Sequence, residues 1–117
     1  MEVITRAQLP LSEIARELVG DEHGLDITVL FVDAEPGRGA ALHRHPYAEV
    51  CIVQEGEATF TVEGEERVVR AGEIAIARAG EAHAFVSSGA GNLRQIDIHL
   101  SPRFATEWLD GREGGGV

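Results

Sequence analysis

Short apolar runs alternate with glycine-bearing turns along most of this chain, a rhythm that predicts an all-β sandwich or barrel. Residues 25–34 are rich in β-branched and aromatic side chains and predict a strand, which Pro36, Gly37 and Gly39 end. A short strand follows over 40–45 and is closed by Pro46. Residues 49–54 are apolar at both parities, the pattern of a strand buried on both faces. Further strands are predicted over 58–62, 66–70, 73–77 and 83–87, with turns at Gly56, Gly64, Gly72 and Gly80. Residues 93–100 alternate strictly: Ile96, Ile98 and Leu100 share one face, Gln95, Asp97 and His99 the other. Polar alternation of this kind most often faces water, so a solvated outer face is expected for Gln95 and His99 ahead of a pocket.

Two flanking stretches read as helical. Over 12–19, Ser12 supplies an N-cap, Gly20 a stop, and Ile14 and Leu18 fall on one face. Residues 102–109 predict one or two helical turns, with Phe104 and Trp108 similarly spaced. Glycine-rich residues 111–117 predict a flexible C-terminal tail. A length of 117 residues fits one domain over 1–110, large enough to bury a core without disulfide or metal staples.

Charge narrows the partners. Asp and Glu number 20 against 10 basic residues, all of them Arg, for a formal charge of −10. Nucleic-acid binding needs a basic surface that neutralises phosphates, so no nucleic acid is expected as a partner. An anionic membrane surface is disfavoured for the same reason, and no apolar run approaches the ~20 residues that span a bilayer. The absence of Lys excludes Schiff-base chemistry. Cys51 is the single cysteine and leaves no intrachain disulfide. Residues 1–6 lack the basic-then-apolar order of a signal peptide, so a cytoplasmic protein is expected.

The sharpest local chemistry is His43-Arg44-His45. Alternate strand residues point to one side, so both imidazoles can share a small ion. Taken alone, such a pair is as readily a polar edge. Glu49 opens the next strand, where antiparallel pairing would set its carboxylate across from the two histidines, and His83 follows the turn at Gly80. Three imidazoles and a carboxylate suit a divalent Fe, Mn, Ni, Co or Zn ion rather than Ca or Mg. Tyr47, Gln95 and His99 are the candidates for substrate contact or acid–base work. Phe31, Phe60 and Phe85 are core candidates, Cys51 shares the inward parity of Glu49, and His23 is expected to be exposed in an acidic turn.

Wider spacing supports the ligand reading. Gly37, five residues, His43-Arg44-His45, three residues, Glu49, six residues and Gly56 reproduce the first cupin motif, G(X)5HXH(X)3-4E(X)6G. Residues 72–87 resemble the second motif, G(X)5PXG(X)2H(X)3N, with Gly72, Gly80 and His83 in place. Arg78 stands where that motif has Pro and Ser87 where it has Asn, neither at a ligand position. The sequence thus resembles the small single-domain metal-binding members of the cupin superfamily.

That resemblance implies a double-stranded β-helix, or jelly-roll barrel, with short flanking helical segments. It implies one divalent metal ion held by His43, His45, Glu49 and His83 within a core over 37–87, and frequent homodimers. It further implies a metalloenzyme acting on a small organic molecule by dioxygenase-like, decarboxylase-like or isomerase-like chemistry. The alternative is a non-catalytic, metal-dependent binding or sensor module.

Overall fold

The computed structural model describes residues 1–109, and the tail expected over 111–117 lies outside them. Strands β1 (Leu11–Ser12), β2 (Ala15–Leu18), β3 (Thr28–Ala34), β4 (Gly39–Arg44), β5 (Glu49–Glu55) and β6 (Glu57–Val62) form the first half. Strands β7 (Glu65–Arg70), β8 (Ile74–Ala77), β9 (His83–Ser87), β10 (Leu93–His99) and β11 (Glu107–Trp108) form the second. They make two antiparallel sheets, in the orders β1-β2-β3-β10-β5-β8 and β11-β4-β9-β6-β7. Only β1–β2–β3 and β6–β7 join neighbours within a sheet; every other connection carries the chain across to the opposite one. The result is a double-stranded β-helix, the all-β barrel that the sequence pattern predicted in the form that the resemblance implied.

Glycines permit the tightest of these crossings. A single residue, Gly56, separates β5 from β6 at φ +78°, and a Cβ there would lie 2.6 Å from the Asn92 carbonyl oxygen. At the start of β4, a Cβ on Gly39 would lie only 1.9 Å from the Phe85 carbonyl oxygen. Both are places where only the smallest residue lets two backbones approach.

The interior is layered along the barrel axis. Pairings of β10 with β3 and β5 set Leu93 against Ala34, then Gln95 against Val32 and Val53, then Asp97 against Leu30 and Cys51, then His99 against Thr28 and Glu49. The opposite sheet runs in the same sense, from Ala58 and Ser87 through Phe60 and Phe85 to Val62 and His83. Apolar packing therefore fills one end, and the titratable side chains gather at the other.

Four expectations need correction. Residues 12–19 are not a helix: β1 and β2 form a hairpin that turns at Glu13, φ 49°, and pairs Ala15–Leu18 with β3. An isolated helix of that length is marginal, and the open edge of β3 offers a full ladder instead. Residues 102–109 are not helical either; they cross the barrel mouth in extended form and end in β11, paired with β4. The helical content is confined to 3-10 turns at Arg6–Gln8 and Gly20–Glu22. Phe31 is half-buried on an outer face, 4.7 Å beneath the Arg6 guanidinium, whereas Phe60 and Phe85 are core. His23 is half-buried, its Nδ1 3.3 Å from a Glu2 carboxylate oxygen. Among the described residues, no helix is long and apolar enough to cross a membrane.

Candidate metal centre

His43 and His83 are register partners on β4 and β9, while Glu49 and His99 are register partners on β5 and β10. The cluster is thus assembled from both sheets. Glu49 is not a strand neighbour of His43 and His45, as antiparallel pairing alone suggested; it reaches them across the barrel from the opposite wall. Ligand atoms of His43, His45, Glu49 and His83 all lie within 4.8 Å of one another, and all four residues are buried. Glu49 Oε1 lies 3.1 Å from His83 Nε2 and 3.2 Å from His45 Nε2.

Hydrogen bonds on the far side of each ring fix which nitrogen faces inward. His43 Nδ1 donates to the Ala41 carbonyl at 2.6 Å, and His83 Nδ1 to the Glu81 carbonyl at 2.9 Å. His45 Nδ1 donates to the Ala105 carbonyl at 3.2 Å, with Thr106 Oγ1 at 3.3 Å. A ring that has spent its N–H at Nδ1 presents a bare lone pair at Nε2. The buried Nε2 of His45 has no hydrogen-bond partner despite its closeness to Glu49. This orphaned, buried lone pair, beside a carboxylate that also meets His83 Nε2 at 3.1 Å, fits a divalent transition-metal ion, whose histidine ligands carry this outer support.

The electrostatics agree with that fit at His43 and Glu49. Burial lowers His43 to about 4, which keeps its imidazole neutral at physiological pH. Burial pushes the Glu49 carboxyl up, but the histidines at 45, 83 and 99 outweigh it and hold Glu49 well below the ordinary range. Burial and the Glu49 charge push Asp97 well above its usual value. Burial works to lower His83, but its hydrogen bonds to Glu49 and the Glu81 carbonyl outweigh it and raise it, so only His43 and Glu49 already hold the protonation states that metal coordination needs.

Of the residues considered for substrate contact, Gln95 and His99 turn inward, against the solvated face expected of them. The inner wall of β10 is polar: Gln95 Nε2 donates to Asp97 Oδ1 at 2.7 Å, while His99 Nε2 stands 3.3 Å from Glu49 Oε2. Tyr47 Oη lies 2.8 Å from His99 Nδ1, and its ring stacks on His45 at 4.8 Å between centroids. Cys51 is buried as its parity implied, with Sγ donating to Glu49 Oε2 at 3.5 Å.

The covering of the site was missed from sequence. Residues 101–109 form a strap over the mouth: Trp108 lies 5.0 Å from the His43 ring and Phe104 packs edge-on against His99 at 5.4 Å. Arg103 anchors the strap to Asp21, and Arg44 pairs with Glu107. The aromatic spacing of Phe104 and Trp108 is the available signal, and it resembles a helix face. A groove of about 410 Å³ reaches His45 between Arg44, Pro46, Gly80 and the strap residues Ala105 and Thr106. A larger groove, about 530 Å³, follows the free edges of β7 and β8 and touches none of the cluster.

A cupin-domain family profile matches residues 30–99, which takes in all four ligand candidates and His99. The chain belongs to the cupin family. Solved structures show the same fold. A conserved protein with a double-stranded β-helix domain from Klebsiella pneumoniae is 25% identical, with TM-score 0.68 over 91% of this chain and 84% of that one. A cupin-like protein from Thermotoga maritima is 24% identical, with TM-score 0.72 over 93% and 89%. Oxalate decarboxylase from Bacillus subtilis is 18% identical with TM-score 0.77, and this cupin covers only 31% of its length. No curated protein matches the sequence.

Proposed function

We propose that this cupin is a metalloenzyme that binds one divalent transition-metal ion through His43, His45, Glu49 and His83 and acts on a small organic molecule. The observation that carries the reading is the inward convergence of imidazole lone pairs whose opposite nitrogens are tied to backbone carbonyls. Such an ion would supply Lewis-acid or redox chemistry at the positions its protein ligands leave open. A structure of Bacillus subtilis oxalate decarboxylase described for its Mn(II) centres, 25% identical to this chain with TM-score 0.72, supports a redox-capable metal.

The remaining roles fall to this chain's own residues. His99 bridges Tyr47 Oη and Glu49 Oε2, so its ring can take a proton at one nitrogen and give one up at the other. Burial raises Tyr47 to about 12, which keeps the phenol protonated and able to donate. Phe104, Trp108 and Tyr47 exclude bulk water from the cluster, and the groove beside His45 is the route for a small substrate. A cytoplasmic homodimer of single-domain chains is the working unit in this reading.

Elemental analysis of untagged protein tests the first half; Fe, Mn, Ni, Co or Zn at about one equivalent is expected. Protein free of metal after growth and reconstitution with each would end the reading. The His43→Ala variant should lose the ion while keeping the barrel's far-UV spectrum. Turnover is then assayed by oxygen uptake or product formation against carboxylic acids, phenols and diketones. Tight ligand binding without turnover would instead mark a non-catalytic binding module.

A further inference from the structure

The barrel wall that carries Glu49 holds more ligand chemistry than the histidine cluster uses. On β5, Glu49 and Cys51 point inward two residues apart, and their register partners on β10 are His99 and Asp97. The four side chains tile one square of the inner wall, and none is more than 3% exposed. Ligand atoms of Glu49, Cys51 and Asp97 lie within 4.8 Å of one another. His99 Nε2 stands 3.3 Å from Glu49 Oε2, the same oxygen that accepts from Cys51 Sγ at 3.5 Å.

Two observations set this square apart from ordinary buried polarity. Asp97 Oδ1 accepts from Gln95 Nε2, but its Oδ2 has no partner, and neither has His99 Nε2. Buried polar atoms are nearly always paired, so two orphans in one enclosed block point to a ligand they share. The second observation is how Glu49 divides its oxygens: Oε1 meets His45 and His83, while Oε2 meets His99 and Cys51. A carboxylate set between two donor groups can hold an ion on each side, as in two-metal sites whose ions lie about 3.5–4 Å apart. The two donor sets differ. The histidine cluster is nitrogen-rich, whereas a thiolate with two carboxylates and an imidazole suits Zn(II) or another thiophilic divalent ion.

We infer that Glu49 Oε2, Cys51, Asp97 and His99 form a second cation site for a thiophilic divalent ion, one layer deeper in the barrel and sharing Glu49 with the histidine cluster. An ion enters it by forming a bond to the Cys51 sulfur as the thiol proton leaves to solvent, so this site fills from added ion after the histidine cluster holds its own. A bound ion also occupies His99 Nε2, the nitrogen proposed to move a proton in turnover, so the two uses of that ring exclude each other. The binding itself does not depend on turnover.

Cobalt(II) tests the site, because a thiolate on cobalt gives a near-ultraviolet charge-transfer band that imidazole and carboxylate ligands do not. The full chain is refolded from urea with cobalt(II), checked for native circular dichroism, and brought to equilibrium dialysis against micromolar cobalt(II). The wild-type protein should hold two equivalents and show the band. Cys51→Ala should hold one equivalent and lose the band. Asp97→Asn should also fall to one equivalent, and it keeps the test decisive if Cys51→Ala fails to fold. His43→Ala should lose the other equivalent and retain the band. Wild-type uptake of one equivalent without the band would overturn the inference and leave the histidine cluster standing, whereas uptake of none would overturn both. A second equivalent that neither Cys51→Ala nor Asp97→Asn removes would be surface binding, and would overturn it too.

Discussion

Glu49 and His99 lie directly opposite each other across β5 and β10, and inside the barrel Glu49 Oε2 stands 3.3 Å from His99 Nε2. The other nitrogen of that ring is 2.8 Å from Tyr47 Oη. One imidazole therefore links the only carboxylate among the four ligand candidates to a half-buried phenol beside the mouth, and its tautomer depends on which of the two neighbours holds the proton.

Tyr47→Phe tests that link. The stack on His45 survives the change, so the fold should persist, but His99 loses its oriented partner. The ring nitrogens of His99 should shift in ¹⁵N NMR toward a tautomer mixture. Metal affinity or turnover should fall by about 10- to 100-fold, the usual cost of losing an outer partner. Unchanged His99 nitrogen shifts would show that the phenol does not set the tautomer.

Trp108→Ala tests the strap. Trp108 is half-buried against His43, and β11 is only Glu107–Trp108 long. The substitution should cost about 1–2 kcal/mol, below the roughly 3–5 kcal/mol of a fully buried aromatic. A chelator should strip metal from the variant several-fold faster than from the wild type. Equal stripping rates would place the access route elsewhere.

The glycines at 37 and 39 should separate two kinds of constraint. Gly37 has φ +91° and open space where a methyl group would go, so Gly37→Ala should cost only backbone strain, about 1–2 kcal/mol. Gly39→Ala drives a methyl into the Phe85 carbonyl and should cost about 3 kcal/mol or more by splitting β4 from β9. Urea unfolding of both variants measures the difference; equal losses would contradict it.

Cys51 should be inert in the folded protein. It is 3% exposed, and burial pushes its thiol well above the ordinary value. A disulfide-exchange reagent at pH 8 should react only as fast as the barrel opens, and in step with urea unfolding. Prompt stoichiometric labelling of native protein would show that the interior is reached without unfolding.

The four ligand candidates were legible because each sits in a local signal: two residues apart on a strand, just after Pro46, and just after the turn at Gly80. Most strands were legible because turn glycines bracket them. What the sequence left undecided depends on partners far along the chain. The pattern Gln95-Asp97-His99 reads equally as a solvated face or a polar interior, and only the opposing sheet with His43 and His83 decides between them. Ser12 and Ile14 carry helix signals that the open edge of β3 overrides. Phe104 and Trp108 have helical spacing, but the rings of His99 and His43 each take one of them.

The crossing of the chain between walls at nearly every connection also sets an order of events. His43 and His83 belong to one sheet, Glu49 and His99 to the other, so neither half of a partly folded chain contains the cluster. Nascent or collapsed chains can offer a metal only the local part of the set, His43, His45 and Glu49, and selection among competing ions by the full set is deferred until β9 brings in His83 and the walls have closed. Added metal should then leave the refolding rate unchanged and act on the unfolding rate alone, making the ion a latch on a finished barrel and no part of its nucleus.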